Sequence, residues 1–201
     1  MAKGSKSGGM SPMVLNIVSA VLWLAMVVVF FVTHGFTMGG YTLMSPYHYP
    51  ILYTIIFLGL GAMVVMMFMN PPKDKQRLYD CFWVSCILSV AANLVMEKFW
   101  YWIYCPLCLL LCACVFYMYM QVGRTHWLIQ GPTAVYLGWT LVVAVESLVL
   151  LFQGKIFKWT NPGEHQWFYI LFLVILIAAS GYIGLHFKSH LEPIPVVVAI
   201  L

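Results

Sequence analysis

Six cysteines, one deeply placed acid and a set of spaced histidines and methionines are the residues of this chain that could do chemistry. Cys105-Pro106-Leu107-Cys108 is a CxxC, and positions i and i+3 meet on one helix face, the geometry of a redox dithiol. A membrane thiol oxidoreductase would also need a second pair in an extramembrane loop to feed it. Cys81 and Cys86 instead fall in an apolar run, as do Cys112 and Cys114, where free cysteine packs as a small hydrophobe. The chain therefore reads as a non-enzyme, with a thiol oxidoreductase as the alternative. Zinc would need four ligands with polar support, which the sequence does not offer. Met63 and Met67 have the spacing of a thioether copper site, but Met66 and Met69 fit a lipid-facing run equally well. His186 and His190 are i, i+4. They sit near a span end, as His34, His48, His126 and His165 sit at ends or in loops, so no haem, metal or other cofactor is expected.

Glu146 is the one acid well inside a long apolar segment. An ionised carboxylate at the bilayer centre costs about 2.5–3.5 kcal/mol or more, so this side chain should face the bundle interior. Two readings stand: a ligand anchor or proton site, or a protonated side chain bonded to a neighbouring helix. Asp80 and Glu97 sit at helix ends, where interfacial water solvates them. Tyr136 and Trp139 lie a turn apart and suit an inter-helix cavity. Seven residues, close to two helical turns, separate Trp139 from Glu146, which places both on one face. Asn93 is the expected hydrogen-bonding partner on the third helix.

Those residues must be positioned in a membrane. The 201 residues are 63% hydrophobic and 8% charged, against about 45–50% and 25% in soluble domains. Mean hydropathy is +0.92. Such a chain cannot supply a polar skin, and its net charge of +4 forms no phosphate-tracking patch. Soluble enzymes and nucleic-acid binders are excluded. Six segments have the roughly 20 apolar residues a span needs: Met13–Thr33, Tyr49–Met69, Leu78–Met96, Trp100–Met120, Pro132–Gln153 and Trp167–Phe187. They are apolar on every face rather than alternating, which favours helices over a barrel. Asn70-Pro71-Pro72, Gly131-Pro132 and Asn161-Pro162-Gly163 punctuate the connections. Gly131-Pro132 is expected to start the fifth helix. Short connections force antiparallel neighbours into one compact bundle. Residues 1–12 read as a disordered tail, and Ile194–Leu201 is an apolar stub too short to span. Lys3, Lys6, Lys73, Lys75, Arg77, Arg124 and Lys188 fall on one side and Lys98, Lys155 and Lys158 on the other, which places the N-terminus in the cytosol. Phe99-Trp100-Tyr101-Trp102, Trp159 and Trp167 suit interfacial belts.

The segment Pro132-Thr133-Ala134-Val135-Tyr136-Leu137-Gly138-Trp139 resembles the fifth-helix signature of the TspO/MBR family, the tryptophan-rich sensory or translocator proteins. Ser45-Pro46-Tyr47-His48-Tyr49 is similar to the proline–aromatic opening of that family's second helix. Phe82-Trp83-Val84-Ser85-Cys86 with Ala91-Ala92-Asn93 is similar to its third. The likeness covers about Met13–Gln153, and residues 154–201 look like the C-terminal extension of longer members. It implies an all-α polytopic membrane protein, a compact bundle of six transmembrane helices with a TspO-like five-helix core. It also implies a pocket between the helices for a sterol, lipid or tetrapyrrole, and Tyr49, Asn93, Tyr136, Trp139 and Glu146 are the expected binding residues. Sterol-type patterns are also met by Val115, Tyr119 and Arg124 and by Arg77, Tyr79 and Val84. The expected partners are membrane lipids, such a ligand, a second copy of the chain or subunits of a membrane complex, and no nucleic acid. Two rival readings are an accessory subunit that works by packing, with Gly181 and Gly184 at its contacts, and a proton-coupled carrier using Glu146.

Overall fold

The structure is a computed structural model and describes residues 11–34, 48–69, 76–98, 100–122 and 127–152, with Leu171, Val174, Ile175 and Ala178 besides. Five helices follow in order: α1 Pro12–His34, α2 His48–Met69, α3 Gln76–Glu97, α4 Tyr101–Val122 and α5 Trp127–Leu151. No strand occurs among the described residues. Backbone polar groups in lipid must bond within their own segment, and helices of 22 to 25 residues do so. At about 1.5 Å per residue each covers the roughly 30 Å hydrocarbon core. By length and composition α1, α3, α4 and α5 can each cross a membrane, and α2 contributes a shorter apolar stretch, Tyr53–Met69.

Local chemistry sets the boundaries. Ser11 caps α1, its Oγ accepting from the Val14 N–H at 3.4 Å and its carbonyl from Leu15 at 3.1 Å, with Pro12 at the first helical position. Between α3 and α4 the Lys98 and Trp100 N–H groups return to the Val95 carbonyl, and the Trp100 carbonyl accepts from Ile103 and Tyr104. This short reversal makes α3 and α4 antiparallel. The start of α5 corrects the sequence expectation. Gly131-Pro132 does not open the helix; Trp127 does, and Pro132 lies inside it. Proline costs least near a helix N-terminus, and both Pro132 and Pro106 of α4 sit in the second turn. Thr133 Oγ1 donates to the Ile129 carbonyl at 2.7 Å across the same turn.

The five helices close into a ring. Helix α1 packs on α2 and α3, α3 on α4, α4 on α5, and α5 back on α2. The outward face of α1 is apolar and exposed at Ile17, Val21, Leu24 and Val28, as lipid contact requires. Helix α5 is the most deeply buried span. At the α1 N-terminal end, Asn16 Nδ2 donates to the Met67 carbonyl of α2 at 3.2 Å, and its Oδ1 accepts from Tyr79 Oη of α3 at 2.9 Å. Trp83 Nε1 donates to Ser19 Oγ at 2.7 Å, and Trp23 Nε1 to the Phe57 carbonyl at 3.1 Å. Trp23 lies against Gly61, where a Cβ would stand 2.8 Å from its ring.

Most of the expected sixth span Trp167–Phe187 lies outside the described residues. Leu171, Val174, Ile175 and Ala178 within it are helical and exposed. The N-terminal tail up to Met10, Arg124, His186, His190, Gly181, Gly184 and the stub Ile194–Leu201 also lie outside them.

Candidate functional site

All five helices line one cavity. Helix α1 contributes Met26, α2 gives Tyr53, Ile56 and Phe57, and α3 gives Ser89, Ala92 and Asn93. Helix α4 gives Tyr104 and Leu111, and α5 gives Tyr136, Trp139, Thr140 and Val143. The spacing is helical on each element: Ser89, Ala92 and Asn93 stand at i, i+3 and i+4, and Tyr136, Trp139, Thr140 and Val143 at i, i+3, i+4 and i+7, so each set forms one inward stripe. These residues come from the late parts of α1 and α3 and the early parts of α2 and α4. The cavity therefore lies in the half of the bundle that holds the α3–α4 turn.

Its walls are aromatic. The Tyr53 ring meets Trp139 edge-on at 4.8 Å between centroids and lies 5.5 Å from Phe57. Phe30 of α1 packs behind them, 3.8 Å from Tyr53 and 5.2 Å from Phe57. These contacts join α1, α2 and α5 around the cavity. Its volume is about 30 Å³, where one water needs about 10–15 Å³ and pockets for drug-sized ligands measure about 300–1,000 Å³. In this conformation the site is closed to anything larger than one or two waters.

Within the aromatic walls lies a polar spot. Tyr136 is 3% exposed, and its hydroxyl has no hydrogen-bond partner. The Ser85 and Ser89 hydroxyls of α3 face it without reaching hydrogen-bond geometry. Ser85 Oγ donates instead to the Phe82 carbonyl at 2.8 Å, and Thr140 Oγ1 to the Leu137 carbonyl at 2.9 Å. Among the described residues no charged side chain lines the cavity.

Asn93, Tyr136 and Trp139, three of the residues expected from sequence, are thus brought together. Glu146 is buried, 6% exposed, but is not part of the lining. Its charge would act on Tyr53 of α2 and on Tyr104 and Cys108 of α4. Tyr49 belongs to α2, and its side chain lies outside the described residues. Tyr53, Tyr104, Ser89 and Thr140 are lining residues that sequence reasoning passed over. Tyr53 stands one turn beyond Tyr49, and Thr140 directly follows Trp139, so helical spacing from the named residues would have reached both.

The remaining candidates have plain structural settings. Met63 and Met67 are buried rather than lipid-facing, and Met63 Sδ lies 3.4 Å from Thr133 Oγ1. All six cysteines are free thiols. Cys105 and Cys108 both lie beside Ser147 of α5, and Cys114 Sγ lies 3.3 Å from the Cys81 carbonyl. No group of three His, Cys, Asp or Glu side chains able to hold a metal occurs among the described residues. Of the sterol-type patterns, Val115, Tyr119 and Tyr79 are buried within the bundle, so they present no lipid-facing surface there.

A closed ring of apolar helices around a small, aromatic cavity defines an integral membrane protein of the all-α class. The sequence profile of the TSPO-like protein family matches residues 11–200, and the chain belongs to that family. No curated protein and no solved structure matches the chain.

Proposed function

We propose that this protein binds a neutral hydrophobic molecule carrying a hydroxyl, such as a sterol or a lipid alcohol, between its five ring helices, without catalysing a reaction. The observation that carries the reading is the cavity itself: all five helices contribute to it, its walls are aromatic, and one of its lining residues, Tyr136, carries a buried hydroxyl without a partner. The lack of a charged side chain among the described lining residues favours a neutral ligand over a tetrapyrrole. Tetrapyrrole carboxylates would be buried without a cation, at a cost of several kcal/mol each. Binding then requires the ring to widen, with Trp139 and Tyr53 parting at their edge-on contact. On this reading six spans enclose and flank the site, residues 13–153 form the binding core and 154–201 its C-terminal flank, and the N-terminus is cytosolic. Glu146 supports Tyr53 and Tyr104 from behind the lining, and Tyr49 extends the α2 wall by one turn.

Titration of the purified chain with cholesterol and with protoporphyrin, followed by tryptophan fluorescence, tests the proposal. Saturable sterol quenching that Trp139→Ala weakens is the expected result. No saturable sterol binding in the parent sinks it.

The small size of the cavity supports a second reading, an accessory subunit of a membrane complex that works through its apolar outer faces. Native mass spectrometry in mild detergent separates the two. A free monomer or homodimer removes the subunit reading, and a stable hetero-complex supports it.

A further inference from the structure

We infer that the Tyr136 hydroxyl is a docking point for a single hydroxyl oxygen, filled by a water molecule in the closed ring and by the ligand's own alcohol group in the loaded one. The second half rests on the function proposed above; the first does not.

A buried phenol that gives up water without gaining a partner keeps the whole desolvation penalty. Tyr136 Oη is in that position with respect to the protein, 3% exposed and unpartnered. Tyr136 lines a cavity of about 30 Å³, enough for one or two waters. A buried water needs two to four polar partners, and three further side chains on the lining can supply them. Ser89 and Asn93 stand one turn apart on α3, and Thr140 stands one turn beyond Tyr136 on α5. The Thr140 proton is committed to the Leu137 carbonyl, so that hydroxyl offers only acceptor lone pairs, whereas the Asn93 amide offers both a donor and an acceptor. The set is mixed in donors and acceptors and carries no charge. It therefore suits a neutral oxygen that both donates and accepts better than a metal cation or a carboxylate. The docking point also sits among apolar rings, which leaves the rest of an alcohol ligand in hydrophobic surroundings.

Infrared difference spectroscopy of the full chain in lipid nanodiscs, in ordinary and in oxygen-18 water, reads the first half. A buried O–H stretching band that shifts with the isotope is expected in the parent and in Tyr79→Phe, whose hydroxyl pairs with Asn16 away from the cavity. The band should be absent in Tyr136→Phe, which keeps the ring and its packing. No isotope-sensitive band in the parent, or one that persists in Tyr136→Phe, overturns the water site. For the second half, cholesterol should abolish the band on binding. Its affinity should fall roughly three- to tenfold in Tyr136→Phe, the worth of one net hydrogen bond. The same sterol lacking its hydroxyl should bind the two proteins equally. Cholesterol binding that leaves the band intact, or that is equal in both proteins, overturns alcohol docking. Failure of cholesterol to bind the parent removes the proposed function and the alcohol half together, while the isotope band still decides the water half.

Discussion

Replacing Asn16 with alanine tests how the ring is held together. The amide donates to the Met67 carbonyl at 3.2 Å and accepts from Tyr79 Oη at 2.9 Å, so one side chain joins α1, α2 and α3. Met67 lies in the last turn of α2, where carbonyls have no intrahelical partner. Both Asn16 and Tyr79 are buried, at 3% and 2% exposed. Hydrogen bonds between membrane helices average about 0.6 kcal/mol and reach about 1.7, and a stranded buried hydroxyl costs about 1–3. Two lost bonds and one stranded phenol make Asn16→Ala about 2 kcal/mol less stable than the parent. Tyr79→Phe loses one bond and leaves an amide oxygen alone, at a cost of about 1 kcal/mol. The double variant should cost less than the two single changes together, by about 1 kcal/mol, because the phenol that Asn16→Ala strands is gone. Reversible unfolding in mixed detergent micelles measures all three. If Asn16→Ala lies within about 0.5 kcal/mol of the parent, the size of an ordinary surface change, or if the single effects simply add, the clamp is not a clamp.

Gly61→Ala should lower thermal stability at a cost of about 1–3 kcal/mol, since its Cβ would stand 2.8 Å from the Trp23 ring, which is fixed by a bond to the Phe57 carbonyl; Gly59→Ala, whose Cβ meets Pro132 at 3.4 Å, should be nearly neutral, and equal melting temperatures would refute the distinction. Glu146→Gln should keep the fold, while Glu146→Ala should cost about 1–3 kcal/mol by stranding buried neighbours; matching stabilities in a detergent melt would place Glu146 in water or among headgroups. Cys86 and Cys108, at 1% and 0% exposed, should resist a membrane-permeant maleimide in the folded protein, while the half-buried Cys81, Cys112 and Cys114 react first, as mass spectrometry of the labelled chain would show.

The boundaries of α1 to α4 could be read to within two residues, because lipid demands long apolar runs and leaves few places for a helix to end. The start of α5 could not, because Gly131-Pro132 is a strong break in water but is tolerated early in a helix that packs on neighbours. Tyr136 and Trp139 stood out through their spacing and their motif. Tyr53 and Tyr104 did not, since twelve tyrosines give no local sign of which ones face inward. Asn16 carries even less signal. A single amide in an apolar run gains its role only from a carbonyl and a phenol that lie 51 and 63 residues away.

The Asn16 clamp has a mechanical consequence. It pins three of the five helices at the end away from the cavity, and the α3–α4 turn ties two helices at the other end. A ring held this way cannot dilate evenly along its length. To admit a ligand it would open as a wedge, with its apex at Asn16 and its mouth on the side of the α3–α4 turn, along the α2–α5 seam where Tyr53 meets Trp139, because the Trp23–Phe57 bond holds α2 to α1 at that level. On the function proposed above, a guest molecule would then enter from the leaflet at that mouth rather than from the opposite one.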